Sequence, residues 1–338
     1  MTQGRARRHA RAPRARTPTA TRVAMNRAAR RVFRSRRRRG ARSTDSGVTF
    51  EGLSPWACPP LELPISGRAA PLTVVNEYAA LLASGVSPAT ADALMIGARH
   101  GIWAQGIATE SQEREGCEAA SCIRHADAEF YNLDTGPWTG GNIWESGELL
   151  ARLFSAPGGS WSRKLVNANV VDLGCGTGVA GLMAALQGAR VTLTDRVLAC
   201  AQHNRDSNFA QHERWRCHLS RLTWGDIDAA ERLRSARGPF DFVFTADTLY
   251  NSEDQDALAA TVFALSDAAH TQVVVATPNS GDVFFPIARI RHGFHITDLS
   301  EEPEVQAAFE ATMGSDSNKQ AARHSSRRRV KIYSMHRR

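Results

Sequence analysis

Residues 170–178, Val-Val-Asp-Leu-Gly-Cys-Gly-Thr-Gly, constrain the fold more than any other part of the chain. A short apolar segment runs into a glycine-rich turn and then into an alanine- and leucine-rich helix, the arrangement that holds a nucleotide-type cofactor in a doubly wound sheet. Gly174 and Gly176 lack the Cβ that would oppose a positive φ or keep the backbone away from a ligand. A glycine turn without a ligand is the alternative interpretation, because such patterns are weak alone.

An acidic residue, Asp172, stands two places before the first glycine of this turn. Dinucleotide sites use Gly-x-Gly-x-x-Gly to seat a pyrophosphate on a helix N-terminus. Here the glycines are spaced Gly-x-Gly-x-Gly behind a carboxylate, which suits a ligand with a cationic amino-acid end and no phosphate. S-adenosylmethionine is such a ligand.

A second carboxylate supports an adenosine ligand. Residues 190–194 alternate as a strand does, and Asp195 ends the segment. An acidic residue about 20 positions after the glycines, at the tip of the second strand, can bind both ribose hydroxyls of such a ligand. A helix N-cap is the alternative role for Asp195, and the two roles can coexist.

The remaining sequence alternates predicted strands with helices, which favours an α/β fold: a Rossmann-like, seven-stranded, mostly parallel sheet with helices on both faces. Gly174, Asp195, Trp224, Ala246 and Asp247 follow or end predicted strands, where such sheets bind ligands. Beyond the first strand, strands are predicted at residues 190–194, 216–222, 240–246, 271–276, 294–297 and 330–334, and helices at 180–186, 197–208 and 253–266.

The 338 residues divide into three predicted parts. Residues 1–45 form an arginine-rich arm expected to be disordered, because it has few large apolar side chains. Residues 46–160 are a lead-in with elements that cover the cofactor; its part from 46 to 70 is rich in Pro and Gly and is predicted to be irregular. Residues 161–338 form the core, with a predicted loop at 313–326.

Charge separates the arm from the rest of the chain. Residues 1–44 contain 16 arginines and no Lys, Asp or Glu, so the net charge of +8 leaves 8 − 16 = −8 for the remainder. Three roles for the arm stay open. It is a mitochondrial transit peptide, a basic segment that serves as a nuclear signal or polyanion patch, or an extension without function. The basic segment would contact an import receptor or a polyanion.

Other classes of protein are disfavoured. No run of 18 apolar residues predicts a membrane span. Six cysteines without Cys-x-x-Cys spacing predict a reduced compartment and no metal site. The expected location is the cytoplasm, with the mitochondrion or the nucleus as alternatives through the arm, and the expected state is a monomer.

The chain from Ile143-Trp144 through the glycine turn, Asp195, Trp224-Gly225 and residues 246–251 resembles the seven-β-strand protein-lysine methyltransferases called methyltransferase-like family 16. Within that family it is most similar to the nicotinamide N-methyltransferase-like enzymes, understood as methyltransferases of elongation factor 1-alpha. The similarity covers about residues 130–338. It implies the class I fold of enzymes that use S-adenosylmethionine.

The resemblance also implies roles for individual residues. Asp247 and Tyr250 match the Asp-x-x-Tyr-like element at which the substrate amine enters, and they are the candidate catalytic pair. The resemblance implies a set of cofactor-binding residues: Trp144, Gly174, Cys175, Gly176, Asp195, Trp224 and Ala246. Asp172 joins this set from the spacing argument above.

Three functions remain open at this point. The leading hypothesis is methylation of a lysine in a non-histone protein, with an elongation-factor-like substrate among the candidates. The second is N-methylation of a small molecule such as nicotinamide, for which a closed, apolar pocket is expected. The third is a non-catalytic scaffold that retains the fold and binds RNA or an organelle through its arm.

Overall fold

The computed structural model of the chain describes residues 60–65, 68–83, 85, 140–313 and 329–337. The predicted arm lies outside these residues, and so does the predicted loop at 313–326 except for its first residue. Among the described residues no helix has both the length and the apolar composition needed to cross a bilayer.

One seven-stranded sheet organises the described chain. Its spatial order is β5-β4-β3-β6-β7-β9-β8, where the strands are β3 (Asn169–Leu173), β4 (Arg190–Asp195), β5 (Cys217–Arg221), β6 (Phe242–Ala246), β7 (Gln272–Thr277), β8 (Phe294–Asp298) and β9 (Lys331–Arg337). β9 is antiparallel to both of its neighbours and the other strands run parallel. This confirms the predicted class I, Rossmann-like α/β fold.

Helices cover both faces of the sheet. They are α1 (Glu77–Ala83), α2 (Glu145–Ser155), α3 (Ser160–Leu165), α4 (Val179–Leu186), α5 (Ala199–Asn208), α6 (Ile227–Arg237), α7 (Gln255–Leu265), α8 (Phe284–Ile290) and α9 (Pro303–Met313), with a 3₁₀ helix at Gln211–Arg216. The predicted strands and helices agree with these bounds to within two residues, except that β9 ends three residues after the predicted end at residue 334. Helices α6, α8 and α9 were not predicted, and no individual helix was predicted at the positions of α1, α2 and α3.

The strand period of two divides the apolar side chains between two cores. Val170 packs into the cluster with α2 and α4, where the rings of Phe154 and Phe244 lie 4.8 Å apart. Its neighbour Val171 faces the other way, into the cluster beneath α6, α7 and α8. Because both faces are buried, the central strands β3, β6 and β7 are apolar at most positions.

The region predicted to be irregular, residues 46–70, contains a strand, and the prediction was wrong there. β1 (Leu61–Leu63) pairs antiparallel with β2 (Leu72–Val74). The Pro and Gly residues around them obscured an alternation of apolar side chains, and Leu63 and Leu72 are fully buried in the core that contains α2 and α4. Tertiary burial therefore outweighs the local turn signals.

Two buried asparagines on α5 hold this hairpin to that helix. The Asn208 side chain accepts from the Thr73 N–H (2.9 Å) and donates to the Thr73 carbonyl (2.7 Å). One turn earlier, the Asn204 side chain accepts from the Val75 N–H and donates to the Val75 carbonyl, both at 3.0 Å. Each amide thus pairs with the N–H and the carbonyl of one residue at β2 or directly after it, as a neighbouring strand would.

Candidate functional site

A cleft lies beyond the carboxyl ends of β3, β4 and β6, where the strand order reverses. Loops of adjacent parallel strands diverge at such a switch point and leave a crevice, which is the usual ligand site of an open α/β sheet. All ten residues predicted from the sequence surround this cleft: Trp144, Asp172, Gly174, Cys175, Gly176, Asp195, Trp224, Ala246, Asp247 and Tyr250.

The glycine turn after β3 has the backbone conformation that the sequence predicted. Gly174 and Gly176 have φ values of +73° and +53°. The N–H groups of Gly174 and Cys175 both donate to the Thr194 carbonyl at 2.9 Å, which fixes the turn against β4. The positive φ angles explain the choice of glycine, since other residues are strained there.

The space that the two glycines leave is used by other parts of the protein. A Cβ at Gly174 would lie 2.8 Å from the ring of Trp224. A Cβ at Gly176 would lie 2.6 Å from the carbonyl oxygen of Gly140. We call the turn at residues 174–178 the cradle. A side chain at Gly174 or Gly176 would fill it, because the Trp224 ring lies on one side and Gly140, which precedes α2, lies on the other.

Asp195 is held in a fixed orientation at the tip of β4. One carboxylate oxygen accepts from the Gly176 N–H (2.9 Å) and the other from the Val197 N–H (3.2 Å). The second bond closes a local turn before α5; Asp195 is not the N-cap of that helix, since the N-cap position is Leu198. This bond leaves the carboxylate at the edge of the cleft, where it could bind ribose hydroxyls.

Asp172 is buried beneath the cradle, and its carboxylate accepts from the Gly181 N–H at 2.9 Å. Burial raises the pKa of Asp172 to about 7; the Gly181 N–H lowers this pKa and the negative charge of Asp195 raises it. The described residues supply no cation within ion-pair distance of Asp172. A cationic ligand end at this position would therefore favour the ionised form.

Cys175 and Ala246 complete the floor of the cleft. Burial, together with the nearby Asp195 and Asp172 carboxylates, raises the pKa of the Cys175 thiol. The thiol therefore stays protonated near neutral pH, and Cys175 serves as a small, uncharged lining residue.

Three aromatic side chains form the walls and the mouth. Trp224 is half-buried against the cradle, and its ring centroid lies 6.5 Å from that of Tyr250. Trp144 and Tyr250 are 45% and 55% exposed, although large aromatic side chains are usually well covered. The cleft is therefore open to solvent on its aromatic side.

Asp247 follows β6 in a left-handed conformation, with φ of +57°. Its carboxylate accepts from the Ser146 N–H at 2.9 Å, in the first turn of α2. Trp144 occupies the N-cap position of α2 and has no oxygen with which to cap it, so Asp247 satisfies an N–H group that would otherwise lack a partner. Asp247 therefore caps a helix that begins about 100 residues earlier in the chain.

Burial raises the pKa of Asp247 to about 6, hydrogen bonds from Ser146 lower it, and the nearby Glu145 raises it. Burial, followed by the effect of Glu148, also raises the pKa of Glu145. Two carboxyl groups with elevated pKa values therefore flank the start of α2, close to the mouth of the cleft. A pair of this kind is typical of sites that handle protons or bind cations.

Sequence reasoning missed Glu145, Gly140, Thr177 and Asn204 as contributors to the site. Asn204 donates to the carbonyl of Thr177, a residue that lines the cleft, at 3.0 Å. Glu145 was the easiest to find, because it directly follows Trp144 and begins a helix. Gly140 and Asn204 gave no local signal, since their contacts depend on distant segments.

The residues fit S-adenosylmethionine as a cofactor. The Asp172 side would receive its cationic amino-acid end, the glycine turn its methionine backbone, Asp195 its ribose, and Trp224 its adenine. Among the described residues there is no cluster of His, Cys, Asp and Glu that could hold a metal ion.

Comparison with known proteins supports this interpretation. Residues 131–284 match the family model described as lysine methyltransferase. The mouse protein N-lysine methyltransferase METTL21A is 38% identical over 111 residues, which are 32% of this chain and 47% of that protein. The mouse EEF1A lysine methyltransferase 3 is 32% identical over 108 residues, which are 32% of this chain and 43% of that protein. The predicted resemblance to methyltransferase-like family 16 is confirmed, over residues 131–284 of the predicted range 130–338.

The chain spans about half the length of the curated relatives it matches. Among solved structures, magnesium protoporphyrin IX methyltransferase from Synechocystis with bound S-adenosylmethionine has a TM-score of 0.37 and 18% identity, covering 56% of this chain and 76% of that one. The fold assignment rests on the strand order of this chain itself.

Proposed function

We propose that this chain, whose residues 131–284 match the lysine methyltransferase family, transfers the methyl group of S-adenosylmethionine to a lysine side chain of a non-histone protein. The observation that carries the proposal is the composition of one cleft. A glycine turn and the fixed Asp195 carboxylate lie at its base, and a second carboxylate, Asp247, lies near its exposed aromatic mouth.

S-adenosylmethionine supplies an electrophilic methyl group on a sulfonium sulfur, so the protein needs no covalent intermediate. The chain has to align the amine with that methyl group and exclude water, and positioning of this kind contributes at most about 7 to 11 kcal/mol. Asp247 would hydrogen-bond the incoming amine, and Tyr250 would offer its ring face or hydroxyl. These are the catalytic roles that we propose.

The amine must lose its proton before it can attack. A lysine has a reference pKa of about 10.4, and partial desolvation once the amine has passed the aromatic rim favours its neutral form. The proton leaves to solvent through the open mouth. Because Asp247 has a raised pKa of about 6, it is ionised at the alkaline pH at which a neutral amine is most available.

The open mouth favours a protein substrate over a small molecule. A small-molecule N-methyltransferase would enclose its substrate in an apolar pocket. Here Trp144 and Tyr250 face solvent at the rim, so a long side chain can enter while the protein that carries it stays outside. A lysine on a protein surface has this shape.

The test is transfer of a labelled methyl group from S-adenosylmethionine into a lysate, with products identified by mass spectrometry. We expect methylated lysine in a protein band, lost in Asp247→Ala and retained in the control Asp228→Ala, which removes an exposed acidic residue of α6. Label only in metabolites would favour the small-molecule function. Calorimetric binding of the cofactor without any transfer would favour the scaffold.

We propose further that the chain acts as a cytoplasmic monomer and that the arm, residues 1–44, serves address or polyanion contact, including an import receptor, and takes no part in chemistry. The residues of the cleft all lie outside the arm. Deletion of residues 1–44 should leave turnover within a few-fold while lowering retention on heparin. Loss of methylation with intact cofactor binding would make the arm a substrate-docking element. A fluorescent tag on the full chain distinguishes cytoplasmic, mitochondrial and nuclear addresses.

A further inference from the structure

A second cleft lies at the opposite edge of the sheet, where β3, β4 and β5 begin. It has a volume of about 590 Å³. Each strand of five or six residues is about 17 to 20 Å long, so this cleft is separated from the cofactor cleft by the length of the sheet. Nothing in the methyltransferase mechanism uses it.

Basic side chains converge on this cleft. Arg190 begins β4, Arg216 directly precedes β5, and Arg237 ends α6. Among the described residues Arg190 has no ion pair or side-chain hydrogen bond. Asp241 is the one carboxylate in the lining, and it accepts from the Asn169 N–H at 2.7 Å. The lining is therefore net positive, although the chain outside the arm carries a charge of −8.

The cleft is built on fixed backbone. The Asn169 side-chain amide donates to the carbonyls of Arg237 and Pro239, at 2.6 and 2.7 Å, and so ties the end of α6 to the start of β3. The Arg237 guanidinium donates to His218 Nδ1 at 2.9 Å. Since arginine only donates, His218 Nδ1 accepts this bond and carries no proton. The imidazole is therefore neutral, and the arginines are the anion-binding groups of the cleft.

An aromatic platform stands beside these charges. Trp215 is 62% exposed, and the guanidinium of Arg216 lies over its ring at 4.6 Å from the centroid. An acidic peptide would use the arginines but would gain little from an exposed indole. Single-stranded nucleic acids combine phosphate charges with flat bases that stack on aromatic rings, and they use both features.

We propose that this cleft binds single-stranded RNA, with phosphates at Arg190 and Arg237 and a base against Trp215. The inference is independent of the methyltransferase function, because it uses neither the cofactor cleft nor its mouth. It assigns RNA a site on the folded part of the chain as well as any contact made by the arm.

The experiment must separate the cleft from the arm, which also attracts polyanions. The full chain is irradiated with a 12-nucleotide oligouridylate containing 4-thiouridine, and crosslinked peptides are located by mass spectrometry. We expect a crosslink within residues 211–221. Its yield should fall at least five-fold in Trp215→Ala, since stacking contributes about 1 to 3 kcal/mol per base, and should fall steeply with salt.

Charge removal supplies the matched comparison. Arg190→Ser combined with Arg237→Ser should reduce the crosslink in 211–221, whereas Arg232→Ser combined with Arg289→Ser removes the same charge from exposed positions outside the cleft and should not. Affinity for S-adenosylmethionine should stay unchanged in both pairs. Circular dichroism establishes that each variant is folded.

Three results would overturn the proposal. Crosslinks confined to residues 1–44, or an equal loss of crosslinking in both pairs of variants, would each show attraction by overall charge alone. The third result is a crosslink in 211–221 that polyglutamate displaces and unlabelled oligouridylate does not, which would indicate an acidic protein partner instead.

Discussion

Asn204→Ala should weaken both the fold and the cofactor site, whereas Asn208→Ala should weaken only the fold. Asn204 is 1% exposed, and truncation removes its bonds with the Val75 N–H, the Val75 carbonyl and the Thr177 carbonyl, each at 3.0 Å. At about 1 kcal/mol for each net hydrogen bond, the loss is about 3 kcal/mol. For a domain of this size it lowers Tm by about 6 to 12 °C.

Asn208 is the matched control because it also makes three bonds. They join it to the Thr73 N–H, the Thr73 carbonyl and the Asn204 carbonyl. Its truncation should lower the free energy of unfolding by a similar amount. None of the three bonds reaches the glycine turn, so the affinity for S-adenosylmethionine should stay within two-fold of the wild-type value.

In Asn204→Ala the Thr177 carbonyl beside the cleft loses a donor, and an unpaired buried group costs about 1 to 3 kcal/mol. Cofactor affinity should therefore fall about five-fold or more. Urea unfolding followed by circular dichroism measures stability, and calorimetry well below the transition measures affinity. Equal changes of affinity in the two variants would refute a link between the hairpin clamp and the cradle.

Three further predictions concern the cofactor cleft. Asp195→Ala should weaken cofactor binding more than ten-fold in calorimetry, because charge-assisted bonds to hydroxyls contribute about 1.5 to 3 kcal/mol each; unchanged affinity would remove Asp195 from the site. Gly174→Ala places a Cβ 2.8 Å from the Trp224 ring at a φ of +73° and should abolish measurable binding while the protein stays folded; normal binding would contradict the close contact. The wild-type protein should lose folding stability as the pH rises from 3.8, the usual pKa of an Asp, towards about 7, the pKa of buried Asp172, because the folded state disfavours the ionised carboxylate. The Asp172→Asn variant has no such charge and keeps an acceptor for the Gly181 N–H. The stability advantage of Asp172→Asn in urea unfolding should therefore grow between pH 5 and pH 8, up to about 4 kcal/mol from about three pKa units, and a pH-independent difference would argue against a raised pKa.

The sequence by itself determined the sheet and the cofactor side of the cleft. Gly174, Asp172 and Asp195 lie within 25 residues of one another, and strand-turn-helix geometry brings neighbouring strand ends together without help from the rest of the chain. Local patterns were therefore enough. Even Asp226, which caps α6 by accepting from the Ala229 N–H at 2.9 Å, was readable as a helix start, although α6 was not predicted.

Only the tertiary structure decided the features that join distant segments. Asp247 caps α2 across 101 residues, Gly140 packs against Gly176, and Asn204 links the hairpin to the glycine turn. A strand-end carboxylate and a buried amide look the same in sequence whatever partner they find, because hydrogen-bond partners are set by proximity in the folded chain. The strands β1 and β2 were hidden for a related reason: their stability comes from the core they cover and from two side-chain amides on α5. The short apolar alternation of their own residues does not identify either partner.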